Sequence, residues 1–244
     1  MKKRTKRIVR SSLVAFAVFL VVTAVCAAVF VAISLKSAGF GVGAPATEAE
    51  SVPVESETEA RSEYLIDLSD YEKYINPTGS RRDAFLALVN AENAGKAEKE
   101  LVALGPERSK SDVTLHPYAA MALEAMLMEM EAENVRLINP DTRLTLSVTA
   151  GFRDSDVHDE HITGLSVDMH SCAVSDISFK NTEAYGWLSE NCWKFGFIVR
   201  YPEGKSAVTG VSFRPWQFRY VGRFHAKEIH FNNLTLEEYL KGTK

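Results

Sequence analysis

The sequence predicts an α+β fold, a small domain with a central antiparallel sheet flanked by helices. Three observations support this: short alternating segments rich in β-branched and aromatic residues, apolar residues at helical spacing between them, and no strict alternation of strand and helix. The chain has 244 residues, 46% hydrophobic and 25% charged, which fits one medium-sized domain with additional segments. The net charge of -4 gives no reason to expect nucleic-acid binding.

The start of the chain predicts a membrane anchor. Residues 1–12 are rich in lysine and arginine, and the run from Leu13 to Leu35 carries no charge. A helix of this length, at about 1.5 Å per residue, crosses a hydrocarbon core of roughly 30 Å. The apolar core of a cleaved signal peptide is shorter, about 7–15 residues, which favours an uncleaved anchor. We expect a cytoplasmic tail over 1–12, a transmembrane helix over 13–35, and an extracellular remainder tethered to the cell membrane.

Residues 36–81 are predicted to form a disordered acidic linker. The stretch "GFGVGAPATEAESVPVESETEARS" is small, acidic and proline-containing, and has little to bury. The following "EYLIDLSDYEKYINPTGS" allows one short helix. The folded domain is then predicted over 82–241, which is long enough for one core.

Inside this domain the elements follow from local patterns. Apolar residues recur at helical spacing after Pro117, Gly196 closes a second helix, and Thr235 can cap a terminal helix with a glutamate three residues on. The predicted order is a helix in "HPYAAMALEAMLMEMEAEN", strands in "TRLTLSVTAGF" and "GLSVDMH", a helix in "TEAYGWLSENCWKFGF", strands in "IVRYPEG" and "FRPWQFRY", and a helix in "NLTLEEYLKG".

The segment "DEHITGLSVDMH" concentrates groups that can bind a metal. Histidine nitrogen and carboxylate oxygen are zinc donors, and a catalytic zinc site uses three protein ligands plus an open position. Asp168 and His170 lie on one face of the predicted strand. Taken alone, the cluster favours a solvated polar loop that leads into a strand. The candidates in and beside the segment are His158, Asp159, Glu160, His161, Asp168 and His170.

The same segment resembles the S-x-H-x-x-G-x-x-x-D motif of the VanY-type D-alanyl-D-alanine carboxypeptidases. These are zinc peptidases whose superfamily includes lysostaphin-like enzymes and the Sonic hedgehog fold. The strings "LVNAEN", "GFRD", "WLSENCWKFGFIVRYPEGK", "TGVSF" and "LTLEEYL" follow in the order of the family, so that the similarity covers residues 84–241. The resemblance implies an α+β domain directed at peptidoglycan stem peptides, with His161 and Asp168 as zinc ligands.

The resemblance also assigns residues to the substrate. Arg153 in "GFRD" matches an arginine that faces the substrate's terminal carboxylate, which a guanidinium can bind with two hydrogen bonds. A structural salt bridge is an equally good interpretation of Arg153. Asp159 stands where the family motif has serine, and Trp216 matches the tryptophan of a second family motif, E-x-W-H. Both are assigned to substrate binding on this basis.

The second family motif is altered. In place of E-x-W-H the chain has "RPWQ", which puts Arg214 at the position of the general base and Gln217 at the position of the third zinc ligand. An amide oxygen is a much weaker zinc donor than imidazole, and arginine stays protonated and cannot accept a proton from water. The stretch "GFRDSDVHDEH" is also shorter than in the family, which predicts a shorter cleft wall.

Two hypotheses follow. The first is a pseudoenzyme with no intact catalytic residues and zinc absent or weakly bound, which binds a stem peptide or a cell-envelope protein without hydrolysing it. The alternative is an active zinc carboxypeptidase with a rebuilt ligand set, His161 and Asp168 with His170 or His158, and a base such as Glu160. Arg214 and Gln217 together favour the first.

Three further residues carry weaker expectations. Cys172 and Cys192 form either an extracellular disulfide or two buried free thiols, because the sequence does not give the distance between them. His225 is predicted to be structural rather than a relocated ligand.

Overall fold

The computed structural model describes residues 64–109 and 111–242. These residues belong to one compact unit, Ala60–Lys244. The predicted tail, the transmembrane helix over 13–35 and the linker up to residue 63 lie outside the described residues. None of the helices within the described ranges is long and apolar enough to cross a membrane.

The described chain forms an α+β domain, as predicted. Its strands are β1 (Val102–Ala103), β2 (Thr114–Leu115), β3 (Ser147–Ala150), β4 (Ser166–His170), β5 (Phe197–Tyr201) and β6 (Arg214–Tyr220). Its helices are α1 (Glu72–Ile75), α2 (Pro117–Ala132), α3 (Glu183–Asn191), α4 (Ser206–Thr209), α5 (Arg223–Phe231) and α6 (Leu236–Gly242). The 3₁₀ helices are Ser69–Tyr71, Gly79–Arg81, Glu160–Thr163, Ile177–Asn181 and Cys192–Phe195.

The strands form two antiparallel sheets. The central sheet has four strands in the order β3-β4-β6-β5, and β1 pairs with β2 in a separate ribbon. Strand β6 lies in the middle, with β4 on one side and β5 on the other. Asp168 on β4 and Gln217 on β6, the last positions of the two motifs, are therefore neighbours in the sheet.

Local signals explain where the helices begin and end. Helix α2 starts at Pro117, and the Nδ1 atom of His116 accepts a hydrogen bond from the Tyr118 N–H at 3.1 Å. The 3₁₀ turn after α3 ends at Gly196, whose φ of 82° is left-handed and unstrained only for glycine. Thr235 and Glu238 form the predicted capping box of α6, with reciprocal hydrogen bonds of 2.8 and 3.2 Å.

Two parts of the fold differ from the predictions. Helix α5 begins directly after Gly222 and was not predicted, because its sequence follows the strand without a side-chain cap. The predicted linker over 36–81 is also too long, since its last part packs on the domain. Leu68 and Ile75 are buried in the main core, although most of their neighbours are polar and lie on the surface.

The two faces of the central sheet differ in chemistry. Because side chains alternate along a strand, Val167, Met169, Phe218 and Tyr220 point to one face, where they join α2 in the main hydrophobic core. The opposite face, here called the polar face, carries six buried polar side chains. They are Ser166, Asp168, His170, Arg200, Gln217 and Arg219.

Four charged residues close the polar face in what we call the buried ion network: Glu160, Arg200, Arg219 and Glu237. Glu160 Oε1 accepts hydrogen bonds from Arg200 Nε at 2.6 Å and from Arg219 Nη1 at 2.8 Å. The carboxylate of Glu237 accepts two more from the other nitrogens of Arg200, at 3.0 and 2.7 Å. Both arginine side chains are 0% exposed. The network thus joins the 3₁₀ helix Glu160–Thr163 to β5, β6 and α6.

We expect the substitution Glu160→Gln to lower the free energy of unfolding by about 3–5 kcal/mol, because it removes the charge that balances two buried guanidinium groups. Urea unfolding can be followed by tryptophan fluorescence. Glu203→Gln is the matched control, since Glu203 is 69% exposed and its salt bridge is to the partly exposed Lys180. Its effect should stay below about 0.5 kcal/mol. Equal effects of the two substitutions would contradict the stabilising role of the network.

Candidate functional site

Three residues predicted for the metal site meet on the polar face. His161 lies in the 3₁₀ helix Glu160–Thr163, Asp168 on β4 and Gln217 on β6, and all three are buried. Asp168 and Gln217 are directly opposite each other in the strand pairing. The Nε2 atom of His161 lies 3.3 Å from Oδ1 of Asp168. The fold therefore brings together the three positions that the two motifs align with the zinc ligands.

A glycine makes this approach possible. The 3₁₀ helix ends at Gly164, which has a left-handed φ of 65°. A Cβ atom at this position would lie 2.9 Å from the backbone nitrogen of His116. Any other residue would be strained and would push against the backbone. Glycine at position 164 therefore lets the chain turn from His161 into β4 close to the backbone of His116.

Asp159 orients the His161 ring. Its Oδ1 atom accepts a hydrogen bond from the His161 N–H at 3.0 Å and lies 2.9 Å from the ring atom Nδ1. A carboxylate can only accept, so this contact favours a proton on Nδ1, whereas Arg153 Nη2, which can only donate, lies 2.7 Å from the same atom and favours Nδ1 as an acceptor. The hydrogen bond from His161 lowers the pKa of Asp159 to about 2. The family serine position is thus filled by a residue that contacts both the backbone N–H and the imidazole ring of His161.

His161 and Asp168 face each other through two buried polar atoms. Nε2 of His161 and Oδ1 of Asp168 are buried, and neither forms a hydrogen bond with any other group among the described residues. Burial opposes protonation of His161, but the nearby carboxylates of Asp159 and Asp168 outweigh it and raise the pKa of the imidazole. Two buried polar atoms that point at each other favour a bound cation, a proton or a ligand group between them.

Gln217 is engaged by a neighbouring cation. The pairing of β5 with β6 runs from Val199↔Phe218 to Tyr201↔Arg214, so two steps along β5 match four along β6. This irregularity brings Arg214 next to Gln217, and Arg214 Nη1 donates a hydrogen bond to Gln217 Oε1 at 3.0 Å. The guanidinium also lies 5.3 Å from the centre of the Tyr201 ring. The amide oxygen at the third-ligand position therefore already accepts a hydrogen bond from a cation.

The residues present do not fit a catalytic zinc site. Such a site uses three protein ligands from histidine, cysteine or carboxylate side chains, and here only His161 and Asp168 qualify. The described ranges contain no group of three or more His, Cys, Asp or Glu side chains that could hold a metal ion. The orphaned contact between His161 and Asp168 provides two donors, and Gln217 provides no strong third one.

The structure does not bring His170 or His158 together with His161 and Asp168 as a third metal ligand. His170 lies two residues beyond Asp168 on the same face of β4, but it pairs with Ser147 at the edge of the sheet. Its Nδ1 atom accepts a hydrogen bond from the Cys172 N–H at 3.2 Å. His158 is exposed and its Nδ1 lies 3.0 Å from the backbone oxygen of Asn90.

Glu160 cannot serve as the base of that alternative. It is 3% exposed and both of its carboxylate oxygens are hydrogen-bonded, one to Arg200 and Arg219 and the other to Ser166. Burial raises its pKa, but the two guanidinium groups more than offset this and the net shift is downward. A carboxylate held in this way has no free lone pair near water. Its role is structural, and its partners Arg200 and Arg219 were not recognised in the sequence. The available signal was a charged residue inside each apolar strand.

The residues predicted to bind substrate have structural contacts of their own. Arg153 Nε lies 3.2 Å from Asp159 Oδ2, and its Nη2 lies 2.7 Å from His161 Nδ1. The salt-bridge interpretation of Arg153 is therefore present in the structure. Trp216 is partly buried and packs against the main core, on the face opposite Gln217. Substrate contacts by Arg153, Asp159 and Trp216 stay predictions.

The three remaining residues singled out in the sequence, Cys172, Cys192 and His225, are all buried. Cys172 and Cys192 are free and buried, and burial raises the pKa of the Cys192 thiol to about 12. His225 has the predicted structural role, because Nδ1 lies 2.7 Å from the Tyr239 hydroxyl and Nε2 lies 3.0 Å from the backbone oxygen of Arg82.

Comparison with known proteins agrees with this geometry. The VanY family, described as D-alanyl-D-alanine carboxypeptidase, matches residues 154–223. A D-alanyl-D-alanine carboxypeptidase of Enterococcus faecalis is 47% identical over 85 residues, which are 35% of this chain and 31% of that enzyme. The chain thus matches about a third of that relative's length.

Two solved structures resemble the domain over most of their own lengths. One is the LdcB LD-carboxypeptidase, described as revealing the molecular basis of peptidoglycan recognition, with 26% identity, a TM-score of 0.56, and coverage of 69% of this chain and 95% of that one. The other is a variant of the vancomycin-resistance D,D-pentapeptidase VanY in complex with Zn(II), with 27% identity, a TM-score of 0.52, and coverage of 64% and 98%. The motifs, the fold and these matches support a VanY-type D-alanyl-D-alanine carboxypeptidase family for this domain, to which residues 154–223 are directly similar.

Proposed function

We propose that the protein is a membrane-tethered, extracellular pseudoenzyme whose VanY-type domain binds peptidoglycan stem peptides without hydrolysing them. One observation carries this proposal: the hydrogen bond of 3.0 Å between Arg214 and Gln217, at the two positions where the family has its general base and third zinc ligand. The site lacks the family groups that activate water, which supports binding without hydrolysis.

The chemistry of both replacements supports binding without hydrolysis. Hydrolysis needs a group that takes a proton from the attacking water, and a guanidinium, which stays protonated, cannot do so. The same cation opposes a divalent ion nearby. Two unit charges about 4 Å apart at an effective dielectric of about 20 interact by roughly 4 kcal/mol, and the repulsion is larger for a divalent ion. His161 and Asp168 alone hold a metal only weakly.

The ligand class is supported by the relatives. The enterococcal relative is named a D-alanyl-D-alanine carboxypeptidase, and the LdcB structure is described in terms of peptidoglycan recognition. A domain outside the cell, held by an uncleaved anchor over 13–35, would have access to such peptides. The second candidate, an active zinc carboxypeptidase, is favoured only by the orphaned contact between His161 and Asp168.

We expect the purified full-length chain to contain clearly less than one zinc ion per chain and to release no D-alanine from a pentapeptide ending in D-Ala-D-Ala. Metal analysis and a D-alanine release assay measure the two quantities. Stoichiometric zinc that is lost in His170→Ala and retained in Gln217→Ala would instead establish the rebuilt ligand set and overturn the pseudoenzyme proposal.

Restoring the family residues should show strong non-additivity. Gln217→His supplies the third ligand but leaves the guanidinium beside the metal, and Arg214→Glu removes the cation but leaves two ligands. Each single variant should bind little zinc, whereas the double variant should bind it at least tenfold more tightly than either, as expected for residues that act as a unit. Isothermal titration of zinc into the four proteins tests this. If the double variant binds zinc no better than the unmodified chain, the correspondence of "RPWQ" with E-x-W-H is wrong.

The proposed topology is tested by protease treatment of intact cells. If the anchor over 13–35 is uncleaved and the amino terminus is cytoplasmic, cleavage within 37–62 should release the domain and leave a membrane-bound amino-terminal fragment. A mature protein that begins well after residue 35 would show that the apolar run is a cleaved signal peptide.

A further inference from the structure

A continuous row of polar side chains crosses the site. Arg153 contacts His161, His161 contacts Asp168, Asp168 is the strand partner of Gln217, and Gln217 accepts a hydrogen bond from Arg214. A cation therefore lies at each end of the row. The two cations differ in how far their charge is balanced by carboxylates of the protein.

A carboxylate of the protein balances the charge of Arg153, whereas no carboxylate among the described residues balances that of Arg214. The Arg153 guanidinium is paired with Asp159, and two of its nitrogens contact Asp159 and His161. Arg214 has no carboxylate within 4 Å in the part of the chain that the structure describes, and its single hydrogen bond there uses Nη1. It is also half-buried, between Gln217 and the ring of Tyr201. A half-buried guanidinium without a counter-ion favours an anionic ligand.

We infer that Arg214 binds the C-terminal carboxylate of the stem peptide, with no metal ion involved. The inference rests on the proposed function and departs from the assignment of this carboxylate to Arg153, whose charge Asp159 already balances. The donors Nε and Nη2 of Arg214 make no hydrogen bond within residues 64–109 and 111–242, and together they match the fork geometry that binds a carboxylate with two hydrogen bonds.

The neighbouring groups complement the rest of a terminal residue. The C-terminal residue of a peptide carries an amide N–H donor a few atoms from its carboxylate acceptor. The site offers the complementary groups: the buried acceptor Oδ1 of Asp168 can face the N–H, and the donor Arg214 can face the carboxylate. Gln217 lies between these two groups. A peptide N–H would satisfy the orphaned Oδ1 atom. Gln217 holds Arg214 in place, which reduces the cost of ordering its long side chain on binding.

Isothermal titration in EDTA with the full-length chain in detergent micelles tests this. The probes are a pentapeptide ending in D-Ala-D-Ala and the same pentapeptide with a C-terminal carboxamide. The unmodified chain should bind the acid at least on the order of tenfold more tightly than the amide. In Arg214→Gln the two peptides should bind equally, and in Arg153→Gln the preference for the acid should persist. Arg214→Lys, which keeps the charge and loses the fork, should show an intermediate preference and serves if Arg214→Gln does not fold.

The outcomes separate this inference from the proposed function. A preference for the acid that survives in Arg214→Gln and disappears in Arg153→Gln would overturn the role of Arg214 and leave the proposed function standing. Peptide binding that appears only when zinc replaces EDTA would also overturn it. If the unmodified chain binds neither peptide, with or without zinc, both the proposed function and the inference fail.

Discussion

The buried ion network is the constraint on which the site depends. Glu160 is the residue directly before His161. Its hydrogen bonds to Arg200 and Arg219 attach the 3₁₀ helix that carries His161 to strands β5 and β6. Glu237 ties the terminal helix α6 to the same arginine. Removing two arginines from water is costly, so the network is stable only when every charge in it has a partner. Ionic contacts from below therefore help to set the position of His161.

Above this network the charge pattern of the family site is inverted. Where the family has an anionic base and a neutral imidazole, this chain has a cation that donates to an amide. The geometry that would surround a metal ion is retained in the contact between His161 and Asp168, because Asp159, Gly164 and the β4–β6 pairing hold these residues independently of Arg214 and Gln217. The residues at positions 214 and 217 can therefore differ from those of the family while the arrangement of His161 and Asp168 is kept.

The bulge in β6 shows how a strand can present residues three apart to one site. Side chains at i and i+3 of a regular strand point to opposite faces. The extra residues between Arg214 and Phe218 break this alternation, so that Arg214 reaches the side chain of Gln217 while Trp216 packs in the main core. Bulges often re-aim side chains beside functional sites, and this one makes the contact that defines the proposed function.

The sequence by itself determined the α+β class and most helices and strands, because periodicity and caps are local signals, whereas the meeting of His161, Asp168 and Gln217 was implied by the resemblance to the VanY-type family. Only the tertiary structure decided the partners of Glu160, Arg153 and Arg214. Glu160 reads as a candidate base in the sequence, but its arginine partners come from strands 40 and 59 residues away. Burial and charge balance depend on such distant contacts, and these determine whether a charged residue stabilises the fold or remains available for a ligand.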